Sequence, residues 1–194
     1  MSLLKKIMDD TSWNKMKSGD KQAFRLIFDE YYSPLCLYAN SFINDLDTAE
    51  DIVSDFFIKI CEKRESIEIK FSVKQYFLFS VKNSVYSYLR SAANKITDIE
   101  PILKKIDNTP LEEYDLEKEE VLLQVDKLIE KLPEQRRKIL KLSVFERKTY
   151  IEISEILGIS VNTVNTQISR AYKFLRDNLD DYHLFLLFMY KKSK

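Results

Sequence analysis

A chain of 194 residues, 45% hydrophobic and 32% charged, has enough material for one or two folded domains. Its charges cancel, 31 basic against 31 acidic, which argues against a tight, self-sufficient nucleic-acid binder. A single histidine, two scattered cysteines and no glycine-rich loop are poor material for metal, nucleophilic or phosphate-cradling catalysis, so no enzymatic activity, cofactor, metal or small-molecule substrate is expected.

Two glycines, four prolines and abundant helix formers predict an all-α fold. The longest apolar run, "LFLLFMY" at 184–190, is too short to span a bilayer, and "MSLLKKIMDD" lacks the apolar core of a signal peptide. Cys36 and Cys61 match no metal or redox spacing and read as free thiols in a reducing cytoplasm.

In chain order, a first helical module covers 11–94. Asp20 is placed to cap a helix with Phe24, Ile27, Phe28 and Tyr31 on one face, and Pro34 predicts a kink or a new helix start. The next helix begins at "TAED" with Thr48 as cap. It buries Ile52, Val53, Phe56, Phe57 and Ile60 and leaves Glu50, Asp51, Ser54 and Asp55 outside. After "CEKRESIEIKF", a loop with an extended piece, a third helix turns Phe77, Val81, Val85 and Tyr88 inward. Lys74, Lys82, Asn83, Tyr86 and Arg90 then occupy its other faces.

Residues 95–118 hold two prolines and form the linker. Charge follows this division. Residues 1–94 are neutral, 95–120 carry 4 basic and 9 acidic side chains (net −5), and 121–194 carry 14 and 9 (net +5).

The second module covers 119–182. Pro133 stands in the first turn of one helix, and Thr149 with Glu152 forms a capping box on the next, whose Ile153, Ile156 and Leu157 pack inward. Gly158 ends that helix and Ser160 caps another. This is the layout of a helix-turn-helix. Val164, Ile168, Ala171 and Leu175 make the inward stripe of the last helix. Asn162, Thr166, Ser169 and Lys173, flanked by Thr163 and Arg170, face away from it.

Those outward groups are short donors and acceptors with one guanidinium, suited to base edges in a major groove. No acidic residue falls between Glu155 and Asp177. Arg147 and Lys148, just before the first of the two helices, are candidate phosphate contacts. A tri-helical protein-interaction domain with a polar surface helix fits the same pattern. The tail, 183–194, is apolar on nearly every side; it is expected to pack on the C-terminal domain or meet a partner, with His183 as a packing residue.

"LPEQRRKILKLSVFERKTYIEISEILGISVNTVNTQISRAYKFLRDNL" resembles the C-terminal promoter-binding domain of a bacterial sigma factor of the small extracytoplasmic-function (ECF) type. "GDKQAFRLIFDEYYSPLCLYA", "TAEDIVSDFFIKI" and "YFLFSVKNSVYSYLR" resemble the N-terminal sigma domain, in the right order and spacing.

The resemblance implies a subunit that binds core RNA polymerase, brings it to promoter DNA and helps open the duplex. It assigns the minus-thirty-five element to Asn162, Thr163, Thr166, Ser169, Arg170, Lys173, Arg147 and Lys148. It assigns the melted minus-ten strand to Lys70, Phe71, Lys74, Tyr76, Lys82, Asn83, Tyr86 and Arg90, which also offer the rings and cations that unpaired bases need. Tyr76 stands where family members often carry Trp or Tyr. Polymerase would take Glu50, Asp51, Ser54 and Asp55, although the family usually shows Gln-Glu in place of Ser54-Asp55.

The acidic linker would run through a basic channel toward the RNA exit path. An anti-sigma partner, frequent in the family, and a monomeric free state are also implied. The competing expectation is a stand-alone dimeric helix-turn-helix regulator, which would bind a palindrome without polymerase.

Overall fold

The computed structural model describes residues 11–69, 72–93 and 118–189. The linker up to residue 117, Lys70, Phe71 and the end of the tail lie outside the described residues. Among the described residues every regular element is a helix, as the composition predicts.

Residues 11–17 (α1) send Trp13 and Met16 into the core. Helix α2, Lys21–Ile43, starts where expected: the Asp20 carboxylate accepts from the backbone N–H of Gln22 and Ala23 at 2.8 and 3.1 Å. Pro34 does not start a new helix. One helix of 23 residues runs through it with Pro34 buried. Proline removes one helical hydrogen bond, but Ile27, Tyr31, Leu35, Tyr38 and Ala39 stay in phase on both sides of it, and their burial holds the helix together. Asn44 ends α2 in the left-handed region, φ 57°.

Helix α3, Leu46–Lys63, is capped by Asp45 and not by Thr48. The Asp45 carboxylate accepts from the N–H and the hydroxyl of Thr48 at 3.3 and 3.0 Å, so an anion rather than a neutral hydroxyl meets the positive end of the helix. Val53, Phe56, Phe57 and Ile60 are buried as expected, and Ile52 is half-buried.

Helix α4, Val73–Ala93, departs from its predicted faces. Phe77, Val81 and Val85 are buried, but Tyr88 is exposed while Lys82 and Tyr86 are covered. A second stripe, Leu78, Lys82, Tyr86 and Leu89, is inside as well, so two sides of α4 meet protein. Phe79 is exposed, whereas Phe77 packs edge-on against Trp13, Tyr31, Phe56 and Phe57 at 5.1–6.1 Å.

The second lobe contains α5 (Lys118–Glu130), α6 (Glu134–Val144), α7 (Tyr150–Leu157) and α8 (Val161–Asn178). Pro133 sits one position before α6, as its N-cap, rather than in the first turn. Ile156 was expected inward and is exposed. In a helix of eight residues, the turn carrying Ile153 meets α8 and Ile156 points away from it.

The chain then breaks at Leu179–Asp180 and forms α9, Asp181–Met189. This apolar helix does not keep to the C-terminal lobe. It packs chiefly on α2 and also on α4, α5 and α8, so the described residues of both lobes share one continuous core.

Candidate nucleic-acid and polymerase interfaces

The helix-turn-helix is built from its caps. Thr149 Oγ1 accepts from the Glu152 N–H at 3.2 Å, and the Glu152 carboxylate accepts from the Thr149 N–H at 2.8 Å. These contacts, backbone first, hold the Glu152 carboxyl below its usual range. Gly158 closes α7 at φ 63°, ψ 37°, a conformation glycine adopts without a Cβ penalty. Ser160 Oγ accepts from the Thr163 N–H at 3.1 Å and opens α8.

The inward stripe of α8 is as predicted: Val164, Ile168, Ala171 and Leu175 are fully buried, together with Tyr172. Asn162, Thr166, Arg170 and Lys173 are exposed. Thr163 is half-buried, its hydroxyl 2.8 Å from that of Ser160, which makes it part of the cap. Ser169 is half-buried because its hydroxyl donates to Asn44 Oδ1 at the end of α2.

Arg147, expected to face a phosphate, is turned inward. Its backbone is left-handed, φ 55°, and its Nη2 donates to the Phe188 carbonyl of α9 at 2.7 Å; burial lowers its pKa. Lys148 is half-buried and pairs with Glu152 at 3.3 Å.

The surface expected to take a single strand is partly covered. Asn83 and Arg90 are exposed; Lys74 is half-buried. Tyr76 is half-buried beside Trp13 and Phe77, at 6.4 and 6.3 Å, so its ring belongs in part to the core. Lys82 and Tyr86 were expected on open faces and are 8% and 4% exposed. The Lys82 ammonium pairs with the Asp181 carboxylate of α9. Burial, and then the nearby Asp181 charge, pushes the Tyr86 hydroxyl well above its ordinary pKa. The sequence reading missed α9 as the cover. The 78, 82, 86, 89 spacing on α4 was the available sign of a second buried face.

On α3, Glu50, Asp51 and Asp55 are exposed in a row. Ser54 is half-buried, 3.2 Å from the Tyr32 hydroxyl. Beside them Phe24, Phe28, Phe57, Ile58 and Cys61 line an apolar groove with Glu62 at its edge. An acidic rim along an apolar groove fits a basic amphipathic partner element. Among the described residues no cluster of His, Cys, Asp and Glu could hold a metal, and no helix is long and apolar enough to cross a membrane.

A helix-turn-helix with an exposed row of amide, hydroxyl, guanidinium and ammonium groups, joined to an aromatic-cored helical lobe with an acidic face, has the layout of a DNA-binding transcription protein. Comparison with known proteins places it more closely. Residues 27–95 match the family model "Sigma-70 region 2" and residues 122–175 match "Sigma-70, region 4".

Among curated relatives, the ECF RNA polymerase sigma factor SigW of Bacillus subtilis is 28% identical over 176 residues, 86% of this chain and 94% of that protein. The ECF RNA polymerase sigma-E factor of Haemophilus influenzae is 23% identical over 186 residues, 91% of this chain and 98% of that protein. A solved structure of CnrH in complex with the cytosolic domain of CnrY aligns at a TM-score of 0.41 and 19% identity, covering 88% of this chain and 96% of that one. The chain belongs to the sigma-70 family, as an ECF-type sigma factor with regions 2 and 4. It is not an enzyme; it directs RNA polymerase to specific promoters.

Proposed function

We propose that α8 reads the minus-thirty-five element through Asn162, Thr166, Arg170 and Lys173, with Thr163 and Ser169 at the edges of the contact and Lys148 toward the phosphates. The observation that carries this reading is an exposed row of amide, hydroxyl, guanidinium and ammonium groups, backed by a fully buried stripe. A side that reads DNA has to be rigidly presented, and the Thr149, Gly158 and Ser160 caps supply that rigidity.

The melted minus-ten strand falls to the lobe of α4, with Asn83 and Arg90 open to it and Lys70, Phe71, Lys74, Tyr76, Lys82 and Tyr86 completing the set. Core polymerase takes the row Glu50, Asp51, Ser54 and Asp55 with the adjoining apolar groove. As a family member the protein acts in the cytoplasm beside the polymerase, as a monomer when free, and answers to an anti-sigma partner.

Reconstitution tests the assignment. Purified protein added to core polymerase is expected to give promoter-dependent transcripts that neither gives alone, with start sites whose upstream regions align into two elements. Specific initiation that persists unchanged after Arg170→Ala with Thr166→Ala overturns the α8 reading. Unchanged core binding after Asp51→Lys with Asp55→Lys overturns the polymerase face.

A further inference from the structure

Helix α9 lies beyond the residues that match region 4, and it packs more on the N-terminal lobe than on its own. Tyr38 of α2 donates its hydroxyl to Asp181 at 3.0 Å, and the same carboxylate takes the Lys82 ammonium of α4. Phe185, fully buried, meets the Tyr38 ring edge-on at 6.0 Å. Leu184, Leu187 and Phe188 are likewise buried.

Around this helix the C-terminal lobe adds three contacts. Asn40 Nδ2 donates to the Tyr150 hydroxyl at 3.1 Å, the Arg176 guanidinium lies 5.2 Å from the centre of the Phe42 ring, and Ser169 bonds Asn44. All three fall on the C-terminal half of α2 or its cap, Asn44.

The groups these contacts occupy coincide with the two DNA surfaces. Lys82 and Tyr86 are assigned to the single strand and are covered; Ser169 is assigned to the minus-thirty-five helix and is bonded to the opposite lobe. We propose that α9 is an intramolecular clasp, latched by Asp181 onto Lys82 and Tyr38, that holds the free protein closed and withholds part of both promoter surfaces until polymerase separates the lobes.

The inference rests on the DNA assignments made above. Its chemistry is that of a competitor: Asp181 presents to Lys82 an anionic oxygen, as a DNA phosphate would. A closed state populated about ten to one weakens apparent strand binding about tenfold, because only the open fraction binds.

The test uses the full chain with Asp181→Lys, which sets like charges face to face, and Asp181→Asn, which keeps the shape and removes the charge. Three readouts are taken on the free protein: radius of gyration by small-angle scattering, amine labelling of Lys82 by mass spectrometry, and anisotropy of fluorescein-labelled single-stranded oligodeoxythymidine.

The clasp predicts that Asp181→Lys expands the molecule, exposes Lys82 to label and raises oligonucleotide affinity roughly tenfold. Asp181→Asn should move all three the same way by less, and it decides the matter if the lysine variant fails to fold. A folded variant with unchanged compactness and labelling overturns the clasp. A variant that opens but gains no affinity overturns the masking. If wild-type holoenzyme also initiates from no promoter, the failure lies with the DNA assignments, whereas opening without gain in an active holoenzyme sinks the masking alone.

Discussion

On the proposed reading of α8, Arg170 and Thr166 matter to promoter recognition and little to folding. Both are exposed on α8, so truncating them should move the melting temperature little. Each lost base contact is expected to cost about 1–3 kcal/mol, so promoter-dependent transcription by Arg170→Ala with Thr166→Ala should fall by one to several orders of magnitude in a reconstituted assay. Cys36 shows the reverse. Burial, and secondarily Glu50, pushes its thiol from 9.0 up to about 12. The thiolate is the reactive form, so at pH 8 alkylation of Cys36 in the folded protein should run roughly a thousandfold slower than for an unperturbed thiol, as peptide mass spectrometry would show. The unfolded chain releases this proton near pH 9 and the folded chain only near pH 12. Stability is therefore withdrawn as pH rises through that window and untouched below it. Denaturant titrations at pH 8 and pH 10 should show a smaller loss for Cys36→Ser.

At the scale of elements, the turn between α7 and α8 is the clearest case of local chemistry setting geometry. Gly158 sits at φ 63° with nothing within 4 Å of where a Cβ would stand, so the cost of Gly158→Ala is conformational and not steric crowding by neighbours. That cost is about 1–2 kcal/mol. Thr149→Ala, which removes the capping box, should cost about 1 kcal/mol. Thermal unfolding checks both, and transcription should weaken in parallel because the turn aims α8. This element was legible in advance: Thr149, Glu152, Gly158 and Ser160 stand at spacings that only a helix, a left-handed turn and a second helix use together. Helix starts in the first lobe were less so. Asp45 and Thr48 are both competent caps, and the choice fell to the residue that follows the left-handed Asn44. Pro34 carried a local signal for a new helix start that was overruled by apolar residues in phase on either side of it.

For the whole molecule, charge and closure act in the same direction. With no net charge, few phosphates can be neutralised without polymerase. Fluorescence anisotropy with duplex promoter DNA should show weak binding by the free protein that steepens only slightly as salt is lowered, and tight, specific binding once core polymerase is added. A free protein that binds a palindrome tightly as a dimer would contradict this. The lobes themselves, the helix-turn-helix and the outward row of α8 were determined by the sequence alone, because helical periodicity, caps and glycine act within a few residues of one another. The fate of Lys82, Tyr86, Ser169 and Arg147 was decided only by the tertiary structure. Each is covered or engaged by a group far away in the chain, and a polar side chain on a helix face carries no local mark of the element that will come to lie upon it.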